Sequence, residues 1–163
     1  MHNALIATTS SPANPREADI ERAMAKQNTA MACDCMPQAI DAYVAARGGS
    51  AMVAPADALA GFRGATSACT ARSVRFGMQA ACTAGIDPLA EPGSAPVPAE
   101  RQSARCACMQ AGMARLSDQQ VADASEIAHK DHVAKAKARA AGASDPPPTP
   151  NPVRDFEQRC RAE

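Results

Sequence analysis

The chain has 163 residues, with 17 basic and 17 acidic side chains and a formal net charge of zero. Residues 1–90 hold seven of each sign and residues 91–163 ten of each, so no segment has the basic excess of a nucleic-acid domain. The hydrophobic share is 46%, yet 40 residues are Ala and only 19 are Leu, Ile, Val or Phe, with one Tyr and no Trp. Ala favours helices but offers little area to bury, and burial yields roughly 25 cal/mol per Å². A core this lean calls for a covalent or metal staple. Seven cysteines are available.

In chain order, residues 1–15 read as a loose terminus, since "TTSSPANP" mixes small polar residues with two prolines. From Pro15 the pattern is helical, with Ile20, Met24 and Met31 on one face. "RGG" at 47–49 stops it, Gly being free to take the left-handed cap. A short helix is expected from Pro55, and a separate one from Thr66 to Ala84, closed by Gly85. "DPLAEPGSAPVP", residues 87–98, reads as an extended linker. A helix from Ala99 to Leu116 follows, and "SDQQ" at 117–120 is a capping box that starts another, ending at Gly142. "SDPPPTPNP", residues 144–152, is polyproline-like, and "VRDFEQRC" forms the last helix.

The two halves look like a duplication. "CDCM" at Cys33 matches "CACM" at Cys106, and "VRFGMQAAC" (74–82) matches "VRDFEQRC" (153–160) with one gap. The expected architecture is all-α: two small Ala-rich helical subdomains, 16–86 and 99–163, joined by the linker and stapled by disulfides.

Residues two apart on an α-helix point about 200° away from each other, because each residue turns ~100°. The sulfurs of Cys-x-Cys therefore cannot grip one ion from an intact helix, but they can reach two different neighbouring helices. That favours disulfides over a chelate. In the first pair, Pro37 disturbs the preceding turn, so Cys33 is expected outside regular helix. If the duplication holds, Cys82 and Cys160 each bond to one member of their own pair. Cys69 then takes the other of Cys33 and Cys35, and the spare thiol falls at Cys106 or Cys108. A spare thiol offers a link to a second copy or an assembly partner.

The alternative is metal. Cys33, Cys35, Cys69 and Cys82 make a four-sulfur set, and Cys106, Cys108 and Cys160 could be completed by His129 or His132. Zinc accepts both sets, while Met31, Met36, Met109 and Met113 beside the pairs suit copper(I). A further alternative is thiol-redox chemistry, which needs a thiolate stabilised by a cation or helix N-terminus. Arg105 beside Cys106 is a weak candidate for that cation. No nucleophile elbow and no phosphate loop is present, so no enzyme and no resident cofactor is expected.

The stretch "RCACMQAGMARLSDQQVADAS", closed by "FEQRC", resembles small, poorly characterised helical domains of exported proteobacterial proteins. Cys106, Cys108, Leu116, Ser117, Phe156 and Cys160 carry the likeness. It implies export and structural disulfides, hence a periplasmic or secreted protein, and no activity. "ALIA" at 4–7 is shorter than the roughly 7–15 apolar residues of a signal-peptide core. With no leader legible, reduced cysteines would instead mean the cytoplasm. No apolar run approaches the ~20 residues that span a bilayer. The expected role is an accessory component that docks on a partner protein.

Overall fold

The computed structural model describes residues 15–89 and 97–162. The expected loose terminus, apart from Pro15, and residues 90–96 of the expected linker lie outside the described residues, as does the side chain of Ile20. All regular structure among the described residues is helical: α1 (Pro15–Ala30), a π-helical turn (Met31–Cys35), α2 (Met36–Ala45), a short 3-10 turn (Ser50–Met52), α3 (Pro55–Thr83), α4 (Ala99–Ala114), α5 (Asp118–Ala140) and α6 (Pro152–Arg161). Three disulfides link helices, so the protein is all-α and covalently stapled.

The helix ends follow local chemistry. Ser117 Oγ accepts from the Gln120 amide at 3.2 Å, and Gln120 Oε1 accepts from the Ser117 amide at 2.9 Å, completing the capping box of α5. Gly85 has φ +74° after α3, where the Gly85 and Ile86 amides donate back to the Cys82 and Ala81 carbonyls. Gly142 ends α5 in the same way, its φ of +68° open to Gly at little strain.

Where two helices were expected after Pro55, the structure has one of 29 residues. Gly61 and Gly64 suggest a break there, since Gly costs about 1 kcal/mol against Ala within a helix. Packing overrides that penalty. A Cβ on Gly61 would stand 1.8 Å from the Tyr43 hydroxyl, so its absence lets the Tyr43 ring lie on the helix. Phe62, the next residue, meets Tyr43 edge to face with ring centroids 5.5 Å apart.

Helix α3 is the common support. Helix α5 lies along it, α4 crosses it, and α6 packs on α4 and α5. The buried apolar residues Ala71, Met113 and Val121 join α3, α4 and α5, and Leu89, Met109 and Cys160 form a second cluster. Met78 and Val153 touch both. The arm formed by α1, the π turn and α2 packs on α3 at the other side. There Asn28 Oδ1 accepts from Ser73 Oγ at 2.8 Å. Of the expected linker, residues 87–89 are docked: Leu89 is buried, and Asp87 binds Arg105 of α4 at 2.6 Å.

Candidate functional site

Helix α4 directs its two cysteines to different helices. Cys106 bonds to Cys82 near the end of α3, and Cys108 bonds to Cys160 of α6. Their Cα atoms are 5.7 and 5.6 Å apart, within the range of ordinary disulfides. The two partners lie on different elements because the helical turn sends adjacent-but-one side chains apart. An ion-paired knot lies beside them. Arg105 spans Asp87 and, at 3.4 Å, the Arg161 carbonyl, while Arg161 donates to the Leu89 carbonyl at 2.8 Å.

The first pair behaves differently. Cys35 bonds to Cys69 of α3, with Cα atoms 5.8 Å apart, whereas Cys33 is a free and exposed thiol. Pro37 has no amide hydrogen to donate to Cys33, and its ring crowds the carbonyl one turn back. The chain answers by widening: the Met36 amide donates to the Met31 carbonyl, a π-helical bond that places both cysteines in a single wide turn.

The sulfur pairing corrects two expectations. The spare thiol is Cys33, not Cys106 or Cys108. Cys82 bonds not within its own half but across the linker to Cys106, so its pairing departs from the one that equivalence with Cys160 requires. The physical reason is the number of neighbours. Helix α4 has α3 on one side and α6 on the other, so both of its sulfurs find partners. The arm rests chiefly on α3, which leaves the opposite sulfur facing solvent.

The same bonds divide the candidate metal ligands. Cys35 and Cys69 are joined to each other, Cys82 to Cys106, and Cys108 to Cys160. A disulfide sulfur is no thiolate ligand. His129 and His132 are exposed on α5, and no group of three or more His, Cys, Asp or Glu converges among the described residues.

Between the arm and α3 runs an open groove of about 560 Å³, with the Cys35–Cys69 bond in its wall. Ala30, Ala39, Ala65 and Ala68 keep it wide, and Gln27, Asp34, Gln38 and Arg72 supply polar groups. After the arm, Met52 of the 3-10 turn is 70% exposed, and Leu59 of α3, three residues before Phe62 of the Tyr43–Phe62 pair, is 66% exposed. Arg47 caps that pair, its guanidinium 3.7 Å from the Tyr43 ring centroid.

At the far side, acidic residues clamp the proline-rich loop. Asp131 of α5 accepts from Thr149 Oγ1 at 2.7 Å, from the Thr149 amide at 2.8 Å and from Arg154 at 3.0 Å. The Thr149 hydroxyl first, then its amide and Arg154, hold the Asp131 carboxyl below the usual carboxylate range. Arg139 makes a two-pronged contact with Asp145, at 2.9 and 2.6 Å, which likewise lowers the Asp145 carboxyl and raises Arg139. Glu126 accepts from Lys130 and from Arg63 of α3, and is lowered chiefly by the Lys130 bond. Sequence reasoning passed over Asp131, Asp145 and Arg139. The available signal was a proline-rich loop that must be held by its few polar residues.

The fold and these sites define an all-α protein with three interhelical disulfides, a constitution suited to an oxidising environment. No described helix is long and apolar enough to cross a membrane. No protein-family model, curated protein or solved structure matches the chain.

Proposed function

We propose that this is a non-enzymatic, disulfide-stabilised accessory protein of the periplasm or the extracellular space, whose role is to dock on a partner protein. One observation carries the reading: Met52 and Leu59, seven residues apart around the start of α3, stand largely exposed in a chain with few large apolar residues. A chain so poor in Leu, Ile, Val and Phe gains nothing for its own core from leaving such side chains in water. Phe76 and Val133 are only 37% and 36% exposed, so the strongest apolar exposure falls at Met52 and Leu59, and exposed apolar side chains close together mark interaction surfaces. Six of the seven cysteines are bound in structural bonds between helices, which leaves the sulfur chemistry to Cys33. A covalent link to a second chain, expected from sequence at Cys106 or Cys108, falls to Cys33 in this reading.

The test is photo-crosslinking in the cell that makes the protein. A photoreactive residue at Leu59 is expected to give one discrete protein adduct, and the same residue at exposed Ala134 on α5 none. Equal, diffuse labelling from both positions would remove the basis of the reading.

A further inference from the structure

We propose that residues 146–150 are a pre-formed polyproline ligand, displayed for a partner protein with an aromatic-lined groove and an acidic rim. The proposal rests on the accessory reading above and names the class of partner.

The backbone of this loop is largely set by its sequence. Each of Pro146, Pro147, Pro148, Pro150 and Pro152 has φ fixed near −65° by its ring. Asp145, Pro146, Pro147, Thr149 and Asn151 each precede a proline, which disfavours the helical region for them. From Asp145 to Pro152 every residue is therefore a proline, precedes one, or both, and the chain has no helix, strand or turn from Ala143 to Asn151, where φ −156° and ψ 157° are extended. Polyproline II makes no internal hydrogen bonds, so its rings, and its carbonyls apart from that of Thr149, are available to a partner.

Both ends of the segment are tied down. Arg139 holds Asp145 through two bonds, and Asp131 holds the amide and hydroxyl of Thr149. Arg154 NH1 donates to the Thr149 carbonyl as well as to Asp131. Asn151 is buried and caps α6 by accepting from the Arg154 amide at 3.0 Å. Between and beside these ties Pro147, Pro148 and Pro150 are exposed.

A plain connector accounts for less than this. Helix–helix connections usually take about 2–8 residues, whereas eleven separate Ala140 from Pro152. The clamps fix Asp145 and Thr149 at the surface and leave the rings of Pro147, Pro148 and Pro150 exposed between and beside them. A ridge fixed in this way loses little conformational freedom on binding, which is why proline-rich segments serve as ligands for aromatic grooves. The rim charge follows from the surroundings: Lys135, Lys137 and Arg139 on the last turns of α5 and Arg154 of α6 stand against two acids, Asp131 and Asp145. The excess is positive, so the matching groove is acidic.

The experiment uses the oxidised full-length chain, labelled for amide NMR, with three purified probes: an SH3 domain, a WW domain and a profilin. At least one is expected to shift the Asp145, Thr149 and Asn151 amides. Replacing Pro147 and Pro150 together by Ala is expected to weaken that binding by about tenfold or more without changing the thermal midpoint. Asp131→Asn, which loosens Thr149, is expected to weaken it by a smaller factor. Failure of all three probes up to about millimolar, where contacts weaker than about 4 kcal/mol vanish, would overturn the proposal. So would shifts confined to the Met52–Leu59 end, or equal binding by the double variant. If the Leu59 adduct forms while no probe touches the loop, the ridge fails and the accessory reading stands.

Discussion

The body of the molecule, α3 to α6, and the arm in front of it are built from similar sequence but held in different ways. Every buried residue among the described ones lies at position 69 or later. The body has two apolar clusters, two disulfides and the Asp87–Arg105 knot. The π turn and α2 contain no buried residue, and one disulfide plus the Asn28–Ser73 bond tie the arm to α3. Ala-rich helices thus form in both regions, but only the one with helices on two sides acquires a core. Helix propensity and core formation are separate properties here, and sulfur pairing follows the second.

The largest break in this comparison comes from removing disulfides singly. The three bonds close loops of 34, 24 and 52 residues, which on the chain-entropy model correspond to about 3–4 kcal/mol each. Cys108→Ala with Cys160→Ala is expected to lower the melting of the whole body, because Cys160 is in the second cluster. Cys35→Ala with Cys69→Ala is expected to loosen the arm and leave the body close to intact. Hydrogen exchange on the two variants separates the outcomes, and equal loss of protection in α5 from both would contradict the division.

Glycine substitutions sharpen it at a smaller scale. A Cβ on Gly112 would stand 2.7 Å from Phe156 Cγ, where α6 lies on α4. Gly112→Ala is therefore expected to destabilise by about 1–3 kcal/mol through overpacking. Gly64 in α3 has nothing within 4 Å of that position. Gly64→Ala is expected to stabilise by about 0.5–1 kcal/mol through helix propensity alone. Thermal melts of both variants in matched buffer check the opposite signs.

The smallest effect is that of acid. The Asp131 and Asp145 carboxyls are held low by their loop partners, so their contribution is complete above the unfolded carboxylate value of about 3.9. It is lost as pH falls through the lower folded values. Amide signals of Thr149 and Asn151 are expected to move below about pH 4 before those of α3 do, and Asp131→Asn is expected to remove the Thr149 part of that response. Simultaneous movement throughout would mean that the clamps are not a separate unit.

Much of this was legible in the sequence where the cause is local. Ser117 with Gln120, Gly85 and Gly142 fix helix ends by caps that need no tertiary information. The divergence of Cys106 and Cys108 follows from helix geometry, and so does the disturbance Pro37 makes at Cys33. The continuity of α3 was not legible, because Gly61 looks like a weak point until Tyr43 is seen to occupy its missing side chain. The partner of Cys82 was not legible either. It depends on α4 folding back across α3, which no residue pattern near Cys82 encodes. The duplication argument assigned that bond by analogy between halves, and the two Cys-x-Cys pairs sit in unlike surroundings.

The central claim is that sulfur pairing follows the number of packed neighbours, with two bonds in the body and one holding the arm. Peptide mapping of the unreduced protein, alkylated in denaturant, tests it directly. The account predicts linked peptides for Cys35–Cys69, Cys82–Cys106 and Cys108–Cys160, with the alkyl group on Cys33 alone. Cleavage within residues 90–96 should then leave two pieces joined until reductant is added. A lone thiol at Cys106 or Cys108, or a Cys82 bond to Cys33 or Cys35, would contradict it.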